Sequence, residues 1–162
     1  MAKNHEKKNE SDVTEKVLYV NRCAKVVKGG RKFSFSALVL VGDGNGRIGY
    51  GFAKANELSD AIKKAGEDGR KAMFTVTKHG TTIPHEVQIK WDGALILLKP
   101  ASAGTGVIAG SYIRSILEMA GVEDVMAKSI GSNNPMNQVH ATFEALKQLN
   151  SREQIAETRG AS

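Results

Sequence analysis

The sequence predicts an α+β protein made of two small domains. Three observations carry that expectation. Apolar residues fall at every second position through Phe33, Phe35, Ala37, Val39 and Val41, the period of a half-buried strand. They recur at three- and four-residue steps through Leu58, Ala61, Ile62, Ala65, Gly69, Ala72, Met73 and Val76, the period of one helix face. Strands followed by a helix then open a second unit beyond a break at His79-Gly80. Shared between two units, 162 residues leave about 70–80 each, near the lower limit for an independent core.

Residues 1–15 read as a flexible tail. They are rich in Lys, Glu, Asn and Ser and lack apolar periodicity, so they bury too little surface to offset ordering entropy. The first domain spans 16–79. Val17 to Val20 opens a strand that Val26-Val27 continues, and Lys28-Gly29-Gly30-Arg31 interrupts it. The alternating Phe33–Val41 strand follows. Asp43-Gly44-Asn45-Gly46 supplies the residues that tolerate positive φ in tight turns, so it joins this strand to a third over Arg47–Lys54. Asn56 is a candidate helix cap, with Glu57 and Asp60 in the first turn favouring the dipole. Gly66 and Gly69 weaken that helix by ~1 kcal/mol each against Ala, and mark a close backbone approach.

The second domain spans 80–150. Ile83–Trp91 and Ala94–Lys99 form a hairpin around Asp92-Gly93, and Pro100–Gly106 is a small-residue loop. Ile113, Ile116, Leu117 and Ala120 form the stripe of a helix closed by Gly121. Val122–Ile130 reads as a strand, and Pro135 starts a last helix with the stripe Val139, Phe143, Leu146 and Leu149. Residues 151–162 read as a second flexible tail.

The net charge of +6 points to a polyanionic partner, and nucleic acid is the commonest. The charge is unevenly placed. Lys16, Arg22, Lys25, Lys28, Arg31 and Lys32 lie between Lys16 and Gly42 with no Asp or Glu among them. Four of them surround Gly29-Gly30, where paired glycines let backbone N–H groups approach phosphate. Phe33 and Phe35 share a strand face and are expected in the core rather than stacked on bases. A second basic set, Lys63, Lys64, Arg70 and Lys71, sits on the first helix, with Lys63 and Lys64 near its start.

Catalytic and cofactor signals are weak. Gly44-Asn45-Gly46-Arg47-Ile48-Gly49 matches G-x-G-x-x-G, but it joins two strands, whereas a dinucleotide site needs a strand and a helix. Gly104-Thr105-Gly106 through Gly110 lacks the Gly-Lys-Ser/Thr of a P-loop. His5, His79, His85 and His140 show no metal spacing, and Cys23 is the only cysteine. The expectation is a non-enzymatic protein without cofactor or metal. The N-terminus has no signal-peptide core and no apolar run is long enough to span a membrane, so a cytoplasmic setting is expected.

Several long blocks carry a family resemblance. They are Val20-Asn21-Arg22 through Lys28–Phe35, Val41–Gly51, Lys54-Ala55, Lys99-Pro100-Ala101, Gly104–Gly110, Leu117–Val122, and Lys128 with Gly131–Pro135. In this order they resemble the S five family of small-subunit ribosomal proteins from about Glu15 to Leu149. The resemblance implies a first domain like a double-stranded-RNA-binding domain, a sheet with one helix, and a second domain with two helices on one face of its sheet. It implies a structural constituent of the ribosome that binds small-subunit rRNA. It also implies contacts with ribosomal proteins S four and S eight, a place along the path by which mRNA enters, and an influence on translational accuracy. The rRNA-binding residues it implies, with those of the basic clusters, are Arg22, Lys25, Lys28, Gly29, Gly30, Arg31, Lys32, Lys54, Lys63 and Lys64. The family's loop near the spectinomycin site maps onto Arg22, Cys23, Ala24 and Lys25. Its surface toward S four maps onto Gly104, Thr105, Gly106 and Arg114.

Overall fold

The computed structural model describes residues 13–160. Residues 1–12 of the expected N-terminal tail lie outside them. The chain runs through β1 (Thr14–Val27), β2 (Gly30–Gly42), β3 (Arg47–Ala55), α1 (Leu58–Lys71) and β4 (Phe74–Thr75). It continues through β5 (Val87–Trp91), β6 (Ala94–Pro100), β7 (Val107–Ile108), α2 (Ser111–Met119), β8 (Val125–Gly131), α3 (Pro135–Lys147) and α4 (Arg152–Thr158). Two four-stranded sheets result, ordered β1-β2-β3-β4 and β5-β6-β8-β7. The fold is α+β, as the sequence predicts.

In the first sheet Ala37, Val39 and Val41 face α1 and form a small core with Ala53, Ala61 and Ala65. That packing is close because the facing residues lack side chains. A Cβ on Gly51 would fall inside the carbonyl of Ala65, and one on Gly69 would come 2.7 Å from a methyl of Val41. The close approach expected at Gly69 is therefore present. Gly66 is tight for a different reason: its Cβ would meet the Glu15 carboxylate.

The opposite face carries Leu38, Leu40 and Ile48. They join Ile96, Leu98, Ile113, Ile116, Leu117, Val139, Phe143 and Leu146 in one larger core. The helices α2 and α3 cover the inner face of the second sheet and also reach the first. The turn after β2 docks on the end of α2, where the Gly44 N–H donates to the Met119 carbonyl at 3.1 Å. Tyr50 Oη lies 2.7 Å from His140 Nδ1, and Tyr50 packs edge-on to Phe143. Burial holds His140 below the usual imidazole range and Tyr50 above the usual phenol range, so the two meet as neutral groups.

Several boundaries differ from the sequence reading. The helix stripe read through Met73 and Val76 overshoots: α1 ends at Lys71, and these residues flank β4. β1 starts at Thr14, so it takes in two residues assigned to the tail. Glu15 is held there by Arg70 at 3.0 Å. Glu57, not Asn56, is the α1 N-cap, and it makes no side-chain cap bond. Lys63 and Lys64 therefore lie in the second helical turn, beyond the N-terminal dipole. The second expected tail contains α4, nucleated by a capping box between Ser151 and Gln154. The spacing Ser-x-x-Gln was legible in the sequence.

Candidate nucleic-acid interface

Pairing between β2 and β3 stops at Phe35. Beyond it β1 and β2 pair only with each other, from Cys23↔Ser34 to Val27↔Gly30. These five pairs form a two-stranded arm of about 17 Å beyond the domain. The basic segment read as a loop from Lys25 to Lys32 is mostly strand, closed by a two-residue turn at Lys28-Gly29. Gly29 has φ 104° and Gly30 φ 140°, values that exclude most side chains.

The arm displays its basic residues on both faces. Lys25 sits directly opposite Lys32, and like charges so placed repel across about 5 Å. Arg31, opposite Val26, lies on the other face with Arg22 and Phe33. The Arg22 guanidinium stands 3.9 Å above the Phe33 ring. Phe33 is 44% exposed and Phe35 half-buried, so neither enters the core. The alternation is that of a strand, but among the described residues no layer packs on the distal half of β2. Among the described residues none of Arg22, Lys25, Lys28, Arg31 and Lys32 has an ion-pair partner. Cys23 is half-buried and Ala24 exposed within the arm.

Lys54 is exposed opposite Ser36, itself paired with Asn21, so it stands at the arm's root on the Lys25–Lys32 face. Lys63 and Lys64 are exposed on α1, which packs on the other face of the sheet. The structure does not bring them into the arm.

Gly104, Thr105 and Gly106 form a separate site. Gly104 and Gly106 have φ 87° and 75°. The loop wraps the Asp124 carboxylate, which accepts the Gly106 N–H at 2.9 Å. That bond, then the Thr81 hydroxyl and the N–H groups of Gly104 and Thr105, hold Asp124 below the usual carboxylate range. Arg114 is exposed on α2, whose Ile113 and Ile116 face the core. Sequence reasoning missed Asp124, because nothing local distinguishes it from a surface acid. The hairpin glycines are structural: Gly44 and Gly46 have positive φ, and Gly49 and Gly51 face α1 with no room for a Cβ.

The model of the ribosomal protein S5 N-terminal domain matches residues 13–77, and that of the C-terminal domain matches residues 89–159. The chain belongs to the ribosomal protein S5 family. It is 66% identical over 166 residues to the small ribosomal subunit protein uS5 of Protochlamydia amoebophila, covering 99% of each chain. The protein of that name from Chlamydia abortus is 63% identical, over 98% of this chain and 96% of its own. That from Chlamydia trachomatis is 62% identical, over 93% and 92%. Both family domains fall on the two sheets, the first carrying the arm and the second the Asp124 loop.

Proposed function

We propose that this family member, a structural and non-enzymatic constituent of the small ribosomal subunit, grips rRNA with the β1–β2 arm. The observation that carries the reading is the Lys25↔Lys32 pair on an exposed two-stranded arm. An isolated hairpin is marginal in water, and two opposed lysines weaken it further. RNA phosphates turn that repulsion into attraction and release counterions. The stacked Arg22–Phe33 pair offers a flat cationic face beside them. Lys28, Arg31 and the open backbone of Gly29-Gly30 extend the contact to the tip, and Lys54 extends it to the root.

In the same reading Arg22, Cys23, Ala24 and Lys25 lie near the spectinomycin site. Gly104–Gly106 and Arg114 face ribosomal protein S four. Ribosomal protein S eight is a second neighbour, and the assembled protein borders the path of incoming mRNA and affects decoding accuracy. Family membership supports the ribosome-bound setting, and the exposure of Arg114 supports the protein-facing surface.

The test replaces Lys25 and Lys32 together with Gln. Removing the repulsion should stabilise the free protein by about 0.2–1 kcal/mol. Binding to a small-subunit rRNA fragment should nevertheless weaken. The log–log salt dependence should flatten by ~0.7–0.9 for each phosphate no longer neutralised. Parent-like affinity at every salt concentration would remove the arm from the interface.

A further inference from the structure

The second sheet has an unfinished edge. β7 pairs with β8 only at Val107↔Val125 and Ile108↔Met126 before the chain turns into α2. β8 itself continues to Gly131, paired on its other side with β6. The Val125 N–H points toward β7, donating to Gly106 at 3.2 Å, and its partner on β6 is Pro100, which has no N–H. Backbone polarity alternates along an antiparallel ladder. The N–H and C=O groups of Ala127 and Ser129 therefore also face away from β6. The Ile108↔Met126 pair takes up the Ala127 N–H. Beyond it, among the described residues, no strand pairs with the Ala127 C=O or with the N–H and C=O of Ser129.

A groove of about 550 Å³ lies beside this edge, where a longer β7 would run. Ala127, Lys128 and Ser129 form one wall, and Ile108, Tyr112 and Arg114 stand on the other side. Among the described residues no Asp or Glu lines it. Lys128 and Arg114 are both exposed and have no ion-pair partner among the described residues. Ile108, Met126 and Ile130 are each about half exposed, at 50%, 47% and 50%.

We propose that the open edge of β8 is a strand-addition site that takes an extended acidic segment of a neighbouring protein. An unpaired edge offers donors and acceptors in alternation, and a peptide strand answers both. RNA phosphates accept only, so they leave the carbonyls of Ala127 and Ser129 unmet. Met126, Lys128 and Ile130 share the outward face of β8, so the outward apolar side chains of the added strand cover Ile108, Met126 and Ile130 while its inward carboxylates meet Arg114. The proposal rests on the reading of Arg114 as protein-facing, and adds the partner's chemistry and the mode of contact.

Amide exchange on the isotope-labelled full chain tests it. The probe is a synthetic peptide alternating valine with glutamate, and its control carries lysine for glutamate. The acidic peptide should slow exchange at Ser129 at least about tenfold, and the control should not. Arg114→Gln should weaken the acidic peptide about tenfold, the scale of one charge-assisted contact. Three outcomes overturn the proposal: unchanged exchange, equal slowing by the lysine peptide, or slowing by an rRNA fragment. Slowing that grows with protein concentration in the absence of peptide assigns the edge to a second copy and overturns it as well. Binding of an rRNA fragment by the same preparation is measured alongside. An edge that fails while that binding persists sinks this inference alone.

Discussion

Asp124 shows how one side chain fixes the shape of an exposed loop. Its carboxylate accepts the Gly106 N–H, which ties down the backbone leading to β7 and α2. The sign of its pH effect follows from the lowered pKa. The stabilisation is fully present above the ordinary carboxylate value, because the unfolded chain is ionised there too. It fades as pH falls through the lower folded value, where the native carboxyl must also take a proton. Asp124→Asn should therefore lower the urea midpoint at neutral pH, and the gap from the parent should close below about pH 4. A gap that persists unchanged in acid would mean that the charge of Asp124 is irrelevant. Arg114 is the exposed counterpart of this loop. A rim pair with a partner carboxylate is worth roughly 0.2–1 kcal/mol, so Arg114→Leu should leave the protein folded and incorporated into ribosomes. Stop-codon read-through in a reporter should still shift, by up to about fivefold, which 1 kcal/mol allows. Unchanged read-through in cells carrying only the variant would make Arg114 an idle surface residue.

At the scale of elements, the glycines between β3 and α1 decide how closely a helix can lie on a sheet. Gly51→Ala would place a methyl inside the Ala65 carbonyl, an atom that helix geometry holds in place. Overpacking of this kind costs typically about 1–3 kcal/mol. Gly44→Ala, also in the hairpin but with open space at its Cβ, meets only its φ of 67°. Thermal denaturation should rank Gly51→Ala as the more damaging of the two, and the reverse order would deny the close packing. These elements were legible in sequence because periodicity reports them directly. The stripes Ile113, Ile116, Leu117 and Val139, Phe143, Leu146 are all buried as read. What periodicity cannot report is whether a second layer is present. Phe33 and Phe35 alternate like core residues, yet Phe33 stands beyond β3 and Phe35 meets only its last residue, Ala55. Short elements escaped for a related reason. β7 has two residues and owes its existence to β8, not to its own pattern. In the candidate interface the basic residues were visible as composition. The Lys25↔Lys32 opposition was not, because it depends on a register that only the two-residue turn sets.

For the whole molecule, the question is whether the two family domains are separate folding units. Sequence length and the break at His79-Gly80 suggest two, and each sheet is closed within its own half of the chain. The larger core argues otherwise, because Leu38, Leu40 and Ile48 of the first half are buried with residues of α2 and α3. Leu38 and Leu40 are 1% and 0% exposed, so separating the halves would uncover both. Each would then lose about 1.5–3 kcal/mol of burial. The polar contacts across the boundary depend on the same alignment. Gly44 reaches Met119, Lys78 donates to the Gly121 carbonyl at 3.2 Å, and Tyr50 meets His140. A domain of this size has little stability to spare, so neither half should persist once the other opens. Leu40→Ala should therefore cost about 2–5 kcal/mol, and both halves should feel it. Amide exchange would show this as an equal loss of protection in β2 and in α3, with one cooperative transition in urea. A loss confined to the first sheet, or a second transition at the parent's midpoint, would mean that the two domains fold independently.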